Sequence, residues 1–111
     1  MTDTGLKPEV LHSLITIFEK YPSVEQALVY GSRAMGTYRH NSDIDLTLKG
    51  EGITFADQYN IYDDIDELYL PYQIDLSRYA ELRNPSLTAH IDAVGRVLYT
   101  RRSKESSKAT D

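Results

Sequence analysis

Apolar side chains recur along this chain with two different periods, and each change of period marks an element. Behind Pro8, Val10, Leu11, Leu14, Ile15, Ile17, Phe18 and Tyr21 follow one another at helical spacing. Proline suits a first helical turn, where its missing N–H costs nothing. Tyr21-Pro22-Ser23 stops that helix. Ala27 to Tyr30 form an unbroken apolar run ending at Gly31, the pattern of a strand buried on both faces. A short helix is expected from Ser32 to about Met35. Ser42 to Leu48 alternate with period two, with Ile44, Leu46 and Leu48 on one face and Asp43, Asp45 and Thr47 on the other. Residues 54–69 read as a second long helix with Phe55, Tyr59, Ile61, Tyr62, Ile65 and Leu68 on its inner side, ended by Pro71. Tyr72 to Ser77 alternate again, with Tyr72, Ile74 and Leu76 inward and Asp75 on the polar face. Asn84 and Pro85 open a last helix with a stripe of Leu87, Ile91 and Val94 and a C-cap at Gly95. Arg96 to Tyr99 can add a final edge strand.

The order predicts an α/β fold: a single small domain with a three- to four-stranded mixed sheet and helices packed against it. With 111 residues there is room for one domain. It is expected over residues 1–100, with residues 1–6 loose. Residues 101–111 contain no large apolar side chain and are expected to form a disordered tail. Net charge, −5, is unevenly spread. Residues 1–100 hold 8 basic and 15 acidic residues, whereas the tail holds 4 basic and 2 acidic ones. That acidity argues against a nucleic-acid surface. The absence of cysteine excludes disulfides, thiolate metal sites and cysteine nucleophiles. No apolar stretch is long enough to cross a membrane and no signal peptide is visible, so a cytoplasmic setting is expected.

Three features carry candidate chemistry. Gly31-Ser32 sits at a strand-to-helix turn, where glycine lets the backbone approach a phosphate and the helix start offers free N–H groups. The Ser32 hydroxyl can add a hydrogen bond and Arg33 an ionic contact. Asp43 and Asp45 leave the same face of one strand, roughly 6.6 Å apart along the chain. Like charges so close are costly without a cation. An oxygen-only pair suits Mg²⁺, which keeps waters and substrate phosphates as its other ligands. If the strand carrying Asp75 lies beside that pair, all three carboxylates face one cleft. Asp75 could then bind a second metal ion or take a proton from an attacking hydroxyl.

The run Val29-Tyr30-Gly31-Ser32-Arg33-Ala34, and then Ser42-Asp43-Ile44-Asp45-Leu46, resembles the G-S, ten residues, D-x-D motif of the DNA polymerase β-like nucleotidyltransferases. Four fixed residues at that spacing arise by chance on the order of once in a thousand chains of this length. The resemblance spans about residues 8–100 and points to the minimal nucleotidyltransferases (MNT), antitoxins paired with HEPN-domain RNase toxins. It implies a single nucleotidyltransferase domain that moves AMP from ATP to a hydroxyl, a tyrosine of the partner toxin, with loss of pyrophosphate. In that pattern Asp43 and Asp45 hold Mg²⁺, Gly31, Ser32 and Arg33 bind the nucleotide, and Asp75 is the third carboxylate, a metal ligand or base. Some minimal members carry a basic or glycine-rich loop before the D-x-D; here it reads Tyr38-Arg39-His40-Asn41. Alternative readings are an antitoxin that works by binding alone, or a transferase acting on a small molecule such as an aminoglycoside.

The remaining polar residues have plainer readings. Asp57, Asp63, Asp64, Asp66 and Glu67 form a run free of basic residues, read as the wet face of a helix or a partner-binding face. His12 and His90 fall on helices without a companion at metal spacing and read as structural or exposed. His40 lies in the loop before the D-x-D and could touch a nucleotide. The nine tyrosines are expected at the core edge with wet hydroxyls, with base stacking by Tyr30 or Tyr38 as a minor possibility.

Overall fold

Proline, threonine and asparagine open the three long helices. Pro8 starts α1 (Pro8–Glu19) in its first turn. Thr54 caps α3 (Phe55–Asp66): its hydroxyl accepts from the Asp57 N–H, and the Asp57 carboxylate accepts from the Thr54 N–H. Asn84 caps α4 (Pro85–Val94) by accepting from the Leu87 N–H at 3.2 Å. Between them lie β1 (Gln26–Tyr30), the short α2 (Ser32–Met35), β2 (Ile44–Lys49), β3 (Ile74–Arg78) and β4 (Arg96–Thr100). This computed structural model describes residues 4–39 and 42–101. His40, and all but the first residue of the expected tail, lie outside the described residues.

The strands form one mixed sheet in the order β3-β2-β1-β4. β1 pairs antiparallel with both β2 and β4, while β2 and β3 run parallel. The expected α/β domain is therefore realised with four strands, and β4 is an edge strand. α1 and α3 cover one face over a core that includes Leu14, Phe18, Val29, Leu46, Ile61 and Ile65. Each fully buried side chain of this kind contributes about 1.5–3 kcal/mol. The other face carries Leu28, Tyr30 and Thr47, with α4 packed over β1 and Ile91 buried there. β1 is thus covered on both faces, as its unbroken apolar run required.

Three expectations are corrected. Phe55, Tyr59 and Tyr62 do not face inward; Phe55 is 69% exposed, and only Ile61 and Ile65 of α3 are buried. At 3.6 residues per turn the three aromatics lie well round the helix from those isoleucines. Thr47, on the face expected for it, is buried, and its hydroxyl accepts from Ser77 at 2.9 Å. Residues 4–6 are packed, with Thr4 and Leu6 buried. Arg101 also belongs to the body: its guanidinium donates to the carbonyls of Val24 and Tyr21 at 3.1 and 2.9 Å.

Candidate active site

The apolar run of β1 delivers the chain to a turn that only glycine fits. Gly31 has φ +71° and ψ −150°, and a Cβ there would collide with Asp45 Oδ2. The missing side chain therefore lets the Asp45 carboxylate lie against the Gly31-Ser32 backbone. Ser32 opens α2, whose far end is held by Arg96 Nε donating to the Ala34 carbonyl at 2.7 Å. Among the described residues, no protein group is bonded to the Ser32 hydroxyl.

Strand register then brings the acids together. Asp45 lies opposite Tyr30 across β1–β2 and opposite Asp75 across the parallel β2–β3 pair. Tyr30, Asp45 and Asp75 thus form one row across three strands. Asp43 precedes β2 and is exposed, as is Asp75, while Asp45 is half-buried. The adjacency of the Asp75 strand to the Asp43/Asp45 strand, needed for one cleft, is present.

The electrostatics of the row record a shortage of positive charge. Burial pushes the Asp45 carboxyl above its ordinary value, and Asp75 and Asp43 push it further, with His90 opposing. Burial likewise raises the Tyr30 phenol, with Asp75 and Asp45 adding to it and a hydrogen bond with Ser77 opposing. Among the described residues the one ion pair is Lys20–Asp64, which lies elsewhere, so neither lysine nor arginine is paired with the three acids. An oxygen-only donor set with uncompensated charge fits a hard divalent cation. Among the described residues these acids do not close a complete cage. Mg²⁺ needs only one or two carboxylates when phosphate oxygens supply the rest.

Arg33, expected to bind the nucleotide, has a side chain that is 1% exposed. The guanidinium donates from Nη1 to the Thr4 carbonyl at 2.8 Å and from Nη2 to the Ser42 carbonyl at 2.9 Å. It also packs against the rings of Tyr38 and Tyr72, at 5.3 and 4.7 Å from their centroids. Arg33 therefore anchors the chain just ahead of Asp43. That role was hidden in the sequence, because nothing local shows that residues 4 and 42 converge on it.

His90, read as structural or exposed, belongs to the site. From α4 its Nε2 accepts the Gly31 N–H at 3.1 Å, and its ring meets Tyr30 edge-on at 6.2 Å. Accepting at Nε2 puts the ring proton of the neutral form on Nδ1. His90 thereby fixes the orientation of the peptide that leads into Gly31-Ser32. The two are 59 positions apart in the chain, with no motif to link them.

A family model described as Polymerase beta, Nucleotidyltransferase matches residues 12–104. A comparison with curated proteins gives no match. Among solved structures, a toxin–antitoxin with AMP-PNP is similar at 17% identity over 90% of this chain and 81% of that one, with TM-score 0.67. A tri-AMPylated Shewanella oneidensis HEPN toxin in complex with MNT antitoxin is similar at 12% identity over 91% and 78%, with TM-score 0.65. The toxin–antitoxin MntA-HepT follows at 13% identity over 94% and 81%, with TM-score 0.64. At these identities the likeness is one of fold.

Proposed function

Because the chain belongs to the polymerase β nucleotidyltransferase family, we propose that it is an antitoxin that transfers AMP from ATP to a tyrosine hydroxyl of a HEPN-domain toxin. The observation that carries the reading is the row Tyr30–Asp45–Asp75 beside the Gly31-Ser32 turn, with Asp43 at its end. The solved relatives that hold AMP-PNP or an AMPylated HEPN toxin support the choice of nucleotide and acceptor.

Asp43 and Asp45, with Asp75 beside them, would hold Mg²⁺. When bound, the ion supplies charge neutralisation for the triphosphate and its leaving group. The Ser32 backbone N–H and hydroxyl, presented by the Gly31 turn, bind the triphosphate. Asp75, exposed on an edge strand, takes the proton from the acceptor hydroxyl. The tyrosine oxygen forms a bond to the α-phosphorus, the bond from that phosphorus to the β-phosphate bridging oxygen breaks, and pyrophosphate leaves. Tyr30 lines the row and helps exclude water from it.

ATP labelled at the α-phosphate should label the HEPN protein when the two are incubated with Mg²⁺, whereas γ-labelled ATP should release its label as pyrophosphate. Label arriving from the γ position would overturn AMP transfer. Absence of label on the protein would leave a binding-only antitoxin as the better account.

His90→Ala removes the acceptor of the Gly31 N–H and should lower kcat/KM about ten-fold, the cost of one part-buried hydrogen bond. His90→Gln, which can still accept, should recover part of the loss. Steady-state kinetics alongside a thermal melt separates this from simple unfolding.

A further inference from the structure

Among the described residues, an outward aromatic stripe on α3 is a feature that the transfer reading does not use. Phe55, Tyr59 and Tyr62 recur at i, i+4 and i+7 along its outer flank, next to the edge strand β3. Two hollows lie between helix and strand. One, of about 340 Å³, is lined by Phe55, Gln58, Tyr59, Tyr62 and Leu76. The other, of about 570 Å³, includes Tyr62, Asp66, Tyr69, Tyr72 and Ile74 in its lining. Tyr62 belongs to both, so they form one groove. At its far end Tyr69 is 88% exposed at φ +53°, a conformation that costs a bulky residue about 1–2 kcal/mol.

Charge selects the occupant. Among the described residues, no lysine or arginine lines either hollow, and Asp66 sits among the tyrosines of the larger one. Asp63 on α3 and Glu67 at its C-cap are exposed beside it. Tyr72 already packs against the Arg33 guanidinium, but the rings of Tyr62 and Tyr69 beside the Asp66 carboxylate suit a guanidinium or ammonium group, and the smaller hollow suits apolar side chains. Nucleic acid is disfavoured by the same acids. A second copy would set one acidic groove end against another acidic chain.

Position links this groove to the acids. β3 alternates, with Ile74 and Leu76 lining the groove and Asp75 in the carboxylate row. β3 is also an edge strand, so no further strand separates the groove from Asp75. We infer that the α3–β3 groove docks the protein acceptor, gripping a segment with apolar side chains and one arginine or lysine seated against Tyr62, Asp66 and Tyr69. A segment so held has its neighbouring hydroxyl at the Asp75 edge. The inference rests on the reading that the acceptor is a protein.

The test uses the full chain and a HEPN-domain protein from the same genome. Asp66→Arg, and separately Tyr62→Ser with Tyr69→Ser, should each weaken binding of that protein at least about ten-fold. Asp66→Glu should retain it. All three positions are exposed, and unchanged melting curves would show that the variants fold. Asp43→Asn with Asp45→Asn should keep binding. Unchanged affinity in the groove variants overturns the inference, as does a wild-type chain that does not bind the HEPN protein. A wild-type dimer that the groove variants render monomeric overturns it too. If groove variants lose binding but wild type transfers no AMP, the docking stands and the transfer reading falls. If transfer proceeds and groove variants bind normally, the reverse holds.

Discussion

Asp43→Asn with Asp45→Asn should abolish nucleotide transfer and yield a chain that melts at a higher temperature than the native one. The two effects have one cause. Asp45 is half-buried, faces Asp75 across β2–β3, and has Asp43 two residues away. Its carboxyl is therefore held above the ordinary value, by burial first and by those neighbours next. A carboxyl raised by folding takes up protons more readily in the native state than in the unfolded one. Its contribution to stability is then full below its unfolded value and lost as pH rises through the raised one. At neutral pH the ionised Asp45 is a cost to the fold, and asparagine removes it. The same charge is what attracts a divalent cation, so transfer is lost. Without Mg²⁺, wild-type stability should accordingly decline as pH rises through the raised Asp45 value. Transfer assays, and melting curves of wild type and double variant against pH, check both halves. A double variant that melts lower, or that still transfers, would contradict the account.

Gly31→Ala should be nearly as damaging to activity and, unlike the aspartate variant, should also destabilise. Gly31 sits at φ +71° and ψ −150°, a region other residues enter only at a cost of about 1–3 kcal/mol. The added methyl would strike Asp45 Oδ2. Either the turn unwinds, taking Ser32 out of place, or Asp45 is pushed from the row. A displacement of about 1 Å at a reacting centre can cost about 100-fold in rate. We expect a loss of at least that order, together with a lower melting temperature. His90→Ala, which loosens the same turn without a collision, should fall between this variant and wild type.

The parts of the site legible in the sequence are those whose geometry is local. Asp43 and Asp45 are two residues apart near one strand, and Gly31-Ser32 ends an apolar run, so spacing alone gives their relation. Asp75 was readable because Tyr72 to Ser77 alternate, although its pairing with β2 needed the structure. The contacts of Arg33 and His90 were not legible in the sequence, for one shared reason. Their partners, Thr4 and Ser42 for one and Gly31 for the other, come from distant chain segments and leave no periodic trace. The α3 aromatics were misread for another reason. Ile61 and Ile65 suffice to cover the sheet, and counting Phe55, Tyr59 and Tyr62 as apolar widened the stripe beyond what the core could receive. Their angular offset from the isoleucines was present in the sequence and marks a second face.

The intact mass of the HEPN protein, co-expressed with this chain and recovered from the cell, tests the central claim most directly. With the wild-type chain, the account predicts one or more AMP increments localised to tyrosine, absent when the chain carries Asp43→Asn and Asp45→Asn. An unmodified HEPN protein beside the wild-type chain, or equal modification beside the double variant, would contradict it.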